Sequence, residues 1–146
     1  MTWTELLQIL VGGVGSMGFA CLFNIRGKRL LVATLGGLLS WFLFVIFSYL
    51  IPSDPINYFL VSLLMSFFAE IMARVMKTPT TTFITTSLVP LIPGGSLYYT
   101  MAYGFQGQAT RFVTKGVATL ALAAALALGI IIASTLTKLI LSPRKK

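Results

Sequence analysis

The sequence predicts an all-α integral membrane protein of five transmembrane helices, the fourth broken at a Pro/Gly motif. Of its 146 residues 57% are hydrophobic and only 10% charged, and the mean hydropathy is +0.93, a balance far from that of a water-soluble domain. The apolar residues gather into runs at 6–23, 30–51, 56–76, 83–103 and 112–141, each near the roughly 20 residues that carry a helix across about 30 Å of hydrocarbon. The connections NIRGKR, PSDP, KTPTT and GFQGQATR are short and polar, so residues 1–146 read as a single transmembrane domain.

The first run has Glu5 at its start and no basic region before it, so it is expected to stay attached as a span rather than to be cleaved as a signal peptide. Its GVGSMG, Gly13 to Gly18, matches the dinucleotide fingerprint letter by letter. That fingerprint needs a preceding strand and an acid about 20 residues on, and no acid follows before Asp54. Close helix packing explains the small residues better: Gly12, Ser16 and Ala20 recur every four positions, as do Ala33 and Gly37 in the second run. Small residues let backbones approach where lipid supplies no hydrophobic drive. The last run repeats the device with Ala121, Ala125, Gly129 and Ala133. These faces are expected to meet other helices and are candidate contacts for a partner.

The third run carries Glu70, followed at i+4 by Arg74. An ion pair near the interface, to which Arg74 snorkels, is one reading; proton coupling or gating by an in-span carboxylate is the other. Tyr49, Tyr58 and Tyr103 stand near run ends, as interfacial belt residues do.

The fourth run holds TTSLVPLIPGGSLYYT, with Pro90, Pro93, Gly94 and Gly95 in its middle. Each proline removes a backbone donor and collides with the preceding turn, so regular bonding is expected to fail between Val89 and Pro93. An unsatisfied backbone group in hydrocarbon costs several kcal/mol, so such a break belongs in protein or beside a wet cavity. Amides at Gly95, Ser96 and Leu97 would suit a carboxylate at a helix N-terminus. Carbonyls from Ser87 to Pro90 would suit an ammonium or coupling cation, as in transporters with discontinuous helices. A small amino acid matches both ends. The candidate substrate-binding residues are therefore Pro90, Pro93, Gly94, Gly95 and Ser96, with Thr85, Thr86 and Tyr99 as further lining.

Charge sets the orientation, because Lys and Arg are retained in the cytoplasm. With the N-terminus outside, five spans leave Arg26, Lys28, Arg29, Arg74, Lys77, Lys138, Arg144, Lys145 and Lys146 inside, and only Arg111 and Lys115 outside. A re-entrant fourth run would move the C-terminal group outward and weaken the asymmetry. The formal charge of +8 does not indicate nucleic acid, since the basic residues form no stripe with interleaved aromatics. One cysteine, Cys21, permits no internal disulfide. With no His and only Glu5, Asp54 and Glu70 as acids, neither a metal site, a cofactor nor a catalytic pair is expected.

The run VPLIPGGSLYYTMAYG, preceded by KTPTTTFITTS, resembles the P-x-x-P-G-x-x-x-Y signature of the threonine/serine exporter family of the ThrE type. GFACLFNIRGKRL is similar to that family's first hairpin, where a Phe-Asn pair closes the first span. The resemblance implies a subunit of a bacterial plasma-membrane exporter of threonine, serine or related small carboxylates. It also implies a division of labour: members occur as one chain with two five-span halves or as two proteins, and this chain is similar to the second, smaller half. A second five-span subunit with a soluble N-terminal region, or self-association, would then complete it, because an odd span number inverts the topology of the next half. Membrane lipid and a small-molecule substrate are the other expected partners, and nucleic acid is not expected. A non-transporting scaffold subunit is the alternative; the small-residue faces would serve it, but it leaves the broken helix without a purpose.

Overall fold

In the computed structural model, which describes residues 2–141, the chain is helical between its turns. Six helices follow one another: α1 Trp3–Leu22, α2 Lys28–Leu50, α3 Asp54–Val75, α4 Thr80–Leu88, α5 Gly94–Phe105 and α6 Ala109–Leu141, with a 3-10 turn at Val89–Leu91 between α4 and α5. Among the described residues, α1, α2, α3 and α6 are long and apolar enough to cross a membrane. The fourth apolar run is divided between α4 and α5, which at about 1.5 Å per residue are each too short to cross alone. Arg144, Lys145 and Lys146, part of the expected cytoplasmic charge, lie outside the described residues.

Three helices stop in the same way. After α1, α3 and α5 one residue takes a left-handed conformation: Asn24 (φ 56°), Lys77 (φ 49°) and Gly107 (φ 70°). The next amide then reaches back into the last turn, Ile25 N to Ala20 O at 2.9 Å, Thr78 N to Ala73 O at 2.9 Å and Gln108 N to Tyr103 O at 3.0 Å. These bonds satisfy carbonyls that a helix end otherwise leaves open. The chain can therefore reverse in a few residues. Asn and Gly suit the left-handed region, whereas Lys77 adopts it under strain.

Packing among the helices relies on small residues. Ser16 of α1 faces Gly37 of α2, Gly36 of α2 faces Ser87 of α4, and Gly129 of α6 faces Ser62 of α3. At Gly129 an added Cβ would stand 2.7 Å from the Phe59 carbonyl oxygen, which measures how closely α3 and α6 approach. Apolar clusters fill the remaining interior. One joins Ala20, Ile25, Ala33, Ala69, Ala73 and Phe83; the other joins Val61, Met65, Leu88 and Leu91, with Leu126 and Ile130 of α6 against them.

These contacts correct one expectation. The spacing offers the faces of Gly12, Ser16, Ala20 and of Ala121, Ala125, Gly129, Ala133 as contacts for a partner, yet Ser16, Ala20, Gly129 and Ala133 are buried inside this chain. Spacing by four shows that a helix is approached closely without showing by which neighbour; here α2 and α3 supply the matching small residues. On the α6 face Ala121 remains exposed and Ala125 half-buried.

The first half of α6 carries α5, through Ser96 and Thr100 against Thr119 and Gly104 against Phe112. Its second half lies on α3. Helix α6 is the main neighbour of α5, which has no other substantial packing among the described residues.

Candidate functional site

Helix α4 gives way to the 3-10 turn one residue before Pro90, where the pyrrolidine ring withholds an amide from the preceding turn. Within the turn Ile92 N donates to Val89 O at 3.2 Å and Gly94 N to Ile92 O at 2.6 Å. Helix α5 begins at Gly94 with Pro93 as its N-cap. Leu97 N donates to Pro93 O at 3.0 Å. The amide of Leu97, expected to be free for a ligand, is thus occupied, because the cap carbonyl of Pro93 accepts the first bond of the new helix. Gly95 and Ser96 lie in the first turn, whose amides have no intrahelical acceptor. Both glycines are exposed, and a Cβ on either would meet nothing within 4 Å.

The turn sits against α1 and α2. A Cβ at Gly12 would lie 3.4 Å from both Pro90 and Trp41, so the missing side chain lets the turn and the indole converge over α1. Beside this contact a groove of about 390 Å³ is lined by Leu7, Gln8, Val11, Gly12, Gly15, Trp41, Val89 and Pro90. Trp41 stacks on Phe44 at 5.1 Å between ring centroids, and its Nε1 is buried without a hydrogen-bond acceptor among the described residues.

The other expected lining residues are dispersed. Ser96 Oγ is 2.7 Å from Thr119 Oγ1 on α6, which ties the first turn of α5 to its neighbour. Thr85 Oγ1 donates to Thr81 O at 2.7 Å, and Thr86 Oγ1, fully buried, to Thr82 O at 2.9 Å. Thr85 lines a separate cavity with Phe23, Ile25, Thr81 and Thr82. Tyr99 is exposed and meets Tyr98 edge-on at 5.5 Å. Of the candidates, only Pro90 lines the groove.

Glu70 is 5% exposed on α3. Thr80 Oγ1 donates to its Oε2 at 3.3 Å, and Arg74 stands 4.0 Å from the same oxygen. Such spacing is a loose ion pair rather than a clamped bidentate one. Glu70, Arg74, Lys77, Thr78 and Thr80 together line a cavity of about 300 Å³ where α3 turns into α4. A carboxylate with one hydroxyl partner and two cations at its rim makes a polar cluster at the α3–α4 turn, and it is the one buried carboxylate among the described residues of α3.

Sequence reasoning missed Trp41 and Gln8 as groove residues. One signal was available: Trp41 falls mid-run, away from the interfacial belt that indoles prefer. Gln8, one helical turn past Glu5, carried none.

A family model described as Threonine/Serine exporter, ThrE, matches residues 8–136 of this chain. No curated protein and no solved structure matches it.

Proposed function

The chain belongs to the threonine/serine exporter family, and from that membership we propose that it is one subunit of a bacterial plasma-membrane exporter of small amino acids, threonine and serine, or related small carboxylates. The observation that carries this reading is the interruption from Leu88 to Gly94 beside the groove of Trp41 and Pro90. A scaffold has no use for a helix opened next to a cavity, whereas a transporter does. On this reading α4, the turn and α5 together make the fourth of five crossings, with the N-terminus outside and the C-terminus cytoplasmic. Substrate would pass the groove, with Gly95 and Ser96 offering amides to its carboxylate. Glu70 would serve either as the partner of Arg74 at the membrane interface or as the carrier of a coupling proton, which Arg74 would help to release.

A second five-span subunit of inverted topology, with a soluble N-terminal region, completes the exporter. The first turn of α5 supports this need for cover, since Gly94 and Gly95 are exposed and unpaired amides in hydrocarbon are costly. Counterflow of labelled threonine, serine or succinate into proteoliposomes tests it: none is expected with this chain alone, and robust exchange is expected with the partner. Exchange by this chain alone, cross-linking only to itself, would replace the two-part exporter by a homo-oligomer. No exchange in either preparation would leave the scaffold.

A further inference from the structure

We infer that the cleft between the outer parts of α1 and α2 is an ammonium-binding subsite, formed by Glu5, Gln8, Trp41 and Tyr49. It measures about 190 Å³ and shares Gln8 and Trp41 with the groove beside Pro90. At roughly 30 Å³ per water, it has room for the head group of a small molecule while the remainder lies along the groove.

Its chemistry selects the sign of the ligand. Glu5 is the one ionisable acid lining the cleft, and no Lys or Arg joins it. The carboxylate is oriented in advance: Tyr49 OH donates to Oε1 at 2.6 Å and Thr2 N donates to Oε2 at 2.7 Å. Two donors leave lone pairs open on both oxygens, since a carboxylate accepts about four hydrogen bonds. The Gln8 amide adds a further oxygen, and Trp41 and Tyr49 line the cleft with aromatic rings, the side chains that attract organic cations. A carboxylate with aromatic walls and no Lys or Arg among the lining residues favours a primary ammonium and disfavours an anion.

Independent support comes from Trp41, which lines both cavities and keeps a buried Nε1 without an acceptor among the described residues. A buried donor left unpaired is costly, and a ligand that also brings a carboxylate or carbonyl satisfies it. Nearby, Ser48 is already committed: its Oγ donates to Phe44 O at 2.7 Å and accepts from Asn57 Nδ2 at 2.8 Å. It therefore shapes the wall without binding. Two sources supply a primary ammonium, a free amino acid and the ethanolamine head group of a phospholipid. That the occupant is cargo rests on the exporter reading; that the cleft takes an ammonium does not.

The test is binding, not transport. Trp3→Phe in the full chain leaves Trp41 as the single tryptophan, whose emission is followed in maltoside detergent during titration with L-threonine, ethanolamine, N-acetyl-L-threonine and succinate. Threonine and ethanolamine should saturate, whereas the acetylated and dicarboxylic compounds should not. Glu5→Gln should weaken binding by about tenfold or more, the worth of a charged hydrogen bond. Gln8 is exposed, so Gln8→Lys leaves the fold intact and should abolish binding by tethering an ammonium beside Glu5. In lipid nanodiscs, an emission change with phosphatidylethanolamine over phosphatidylglycerol that threonine cannot displace would name the lipid as occupant of the same site. Succinate binding as well as threonine, no saturation with any amine, or affinities unchanged in both variants would overturn the inference. Failed counterflow leaves these outcomes untouched, and failed binding with intact counterflow removes this subsite alone.

Discussion

Gly129→Ala adds a single methyl group where α6 crosses α3, and the structure fixes what that group meets. Besides the Ser62 side chain, it would stand 2.7 Å from the Phe59 carbonyl oxygen and 2.9 Å from the Leu63 nitrogen. Ser62 has limited freedom, because its Oγ donates to that same Phe59 carbonyl at 2.9 Å. The other two atoms are helix backbone and cannot rotate away. Bringing carbon to an ordinary contact of about 3.5 Å requires the helices to part by more than half an ångström. A gap of that size forfeits a quarter or more of the dispersion well for atoms along the crossing. Overpacking of this kind costs about 1–3 kcal/mol, roughly a 5- to 150-fold fall in the folded-to-unfolded ratio. Unfolding of the purified protein by SDS titration, followed by circular dichroism, measures the cost. Gly15→Ala and Gly18→Ala are the controls, since a Cβ at either meets nothing within 4 Å, and each should gain about 0.5–1 kcal/mol of helix preference. Gly129→Ala matching those controls would refute the close crossing of α3 and α6.

Gly95→Leu should abolish export while the protein still inserts, because the position is open and the new side chain obstructs only what approaches the first turn of α5; unchanged counterflow would remove that turn from the site. Single cysteines at Thr2, Ser53 and Ser142, in a Cys21→Ala background, should label from outside at the first two positions only, and external labelling of Ser142 would make the α4–α5 segment re-entrant. Lys77→Gly should stabilise the protein by about 1 kcal/mol by relieving a left-handed lysine, read by the same SDS titration. Glu70→Gln should remove the proton dependence of counterflow; loss of protein abundance with proton dependence intact would make Glu70 a structural residue.

Much of the fold was legible because lipid imposes it. Apolar run length located α1, α2, α3 and α6 to within a few residues, and the chemistry of Pro90 and Pro93 marked where a helix from Thr80 would stop. Helix ends were harder to read. Lys77 resembles an ordinary loop lysine until its backbone angle is seen, and Phe112 to Leu141 omits the first turn of α6, whose Arg111 and Thr110 lower its hydropathy. The site was legible only where backbone chemistry forms it. Thr85 and Thr86 look like polar lining, but their hydroxyls are turned back onto carbonyls of their own helix, a local bond that competes with any ligand. The groove residues Trp41 and Gln8 come from different helices, and their meeting over Gly12 is a fact of packing that no local pattern encodes.

Helix α6 also makes the bilayer a ruler for the molecule. Its 33 residues extend about 50 Å, well beyond the hydrocarbon thickness, so it must lean, project, or both. The lean is a matter of packing as well as length: the second half of α6 is held on α3, so the two helices take their angle to the bilayer together. Because α5 packs chiefly on the leading half of α6, whatever seats α6 in the bilayer also seats α5, and Ile92 and Pro93, the two residues between the turn and α5, tie that pair back to the turn against α1 and α2.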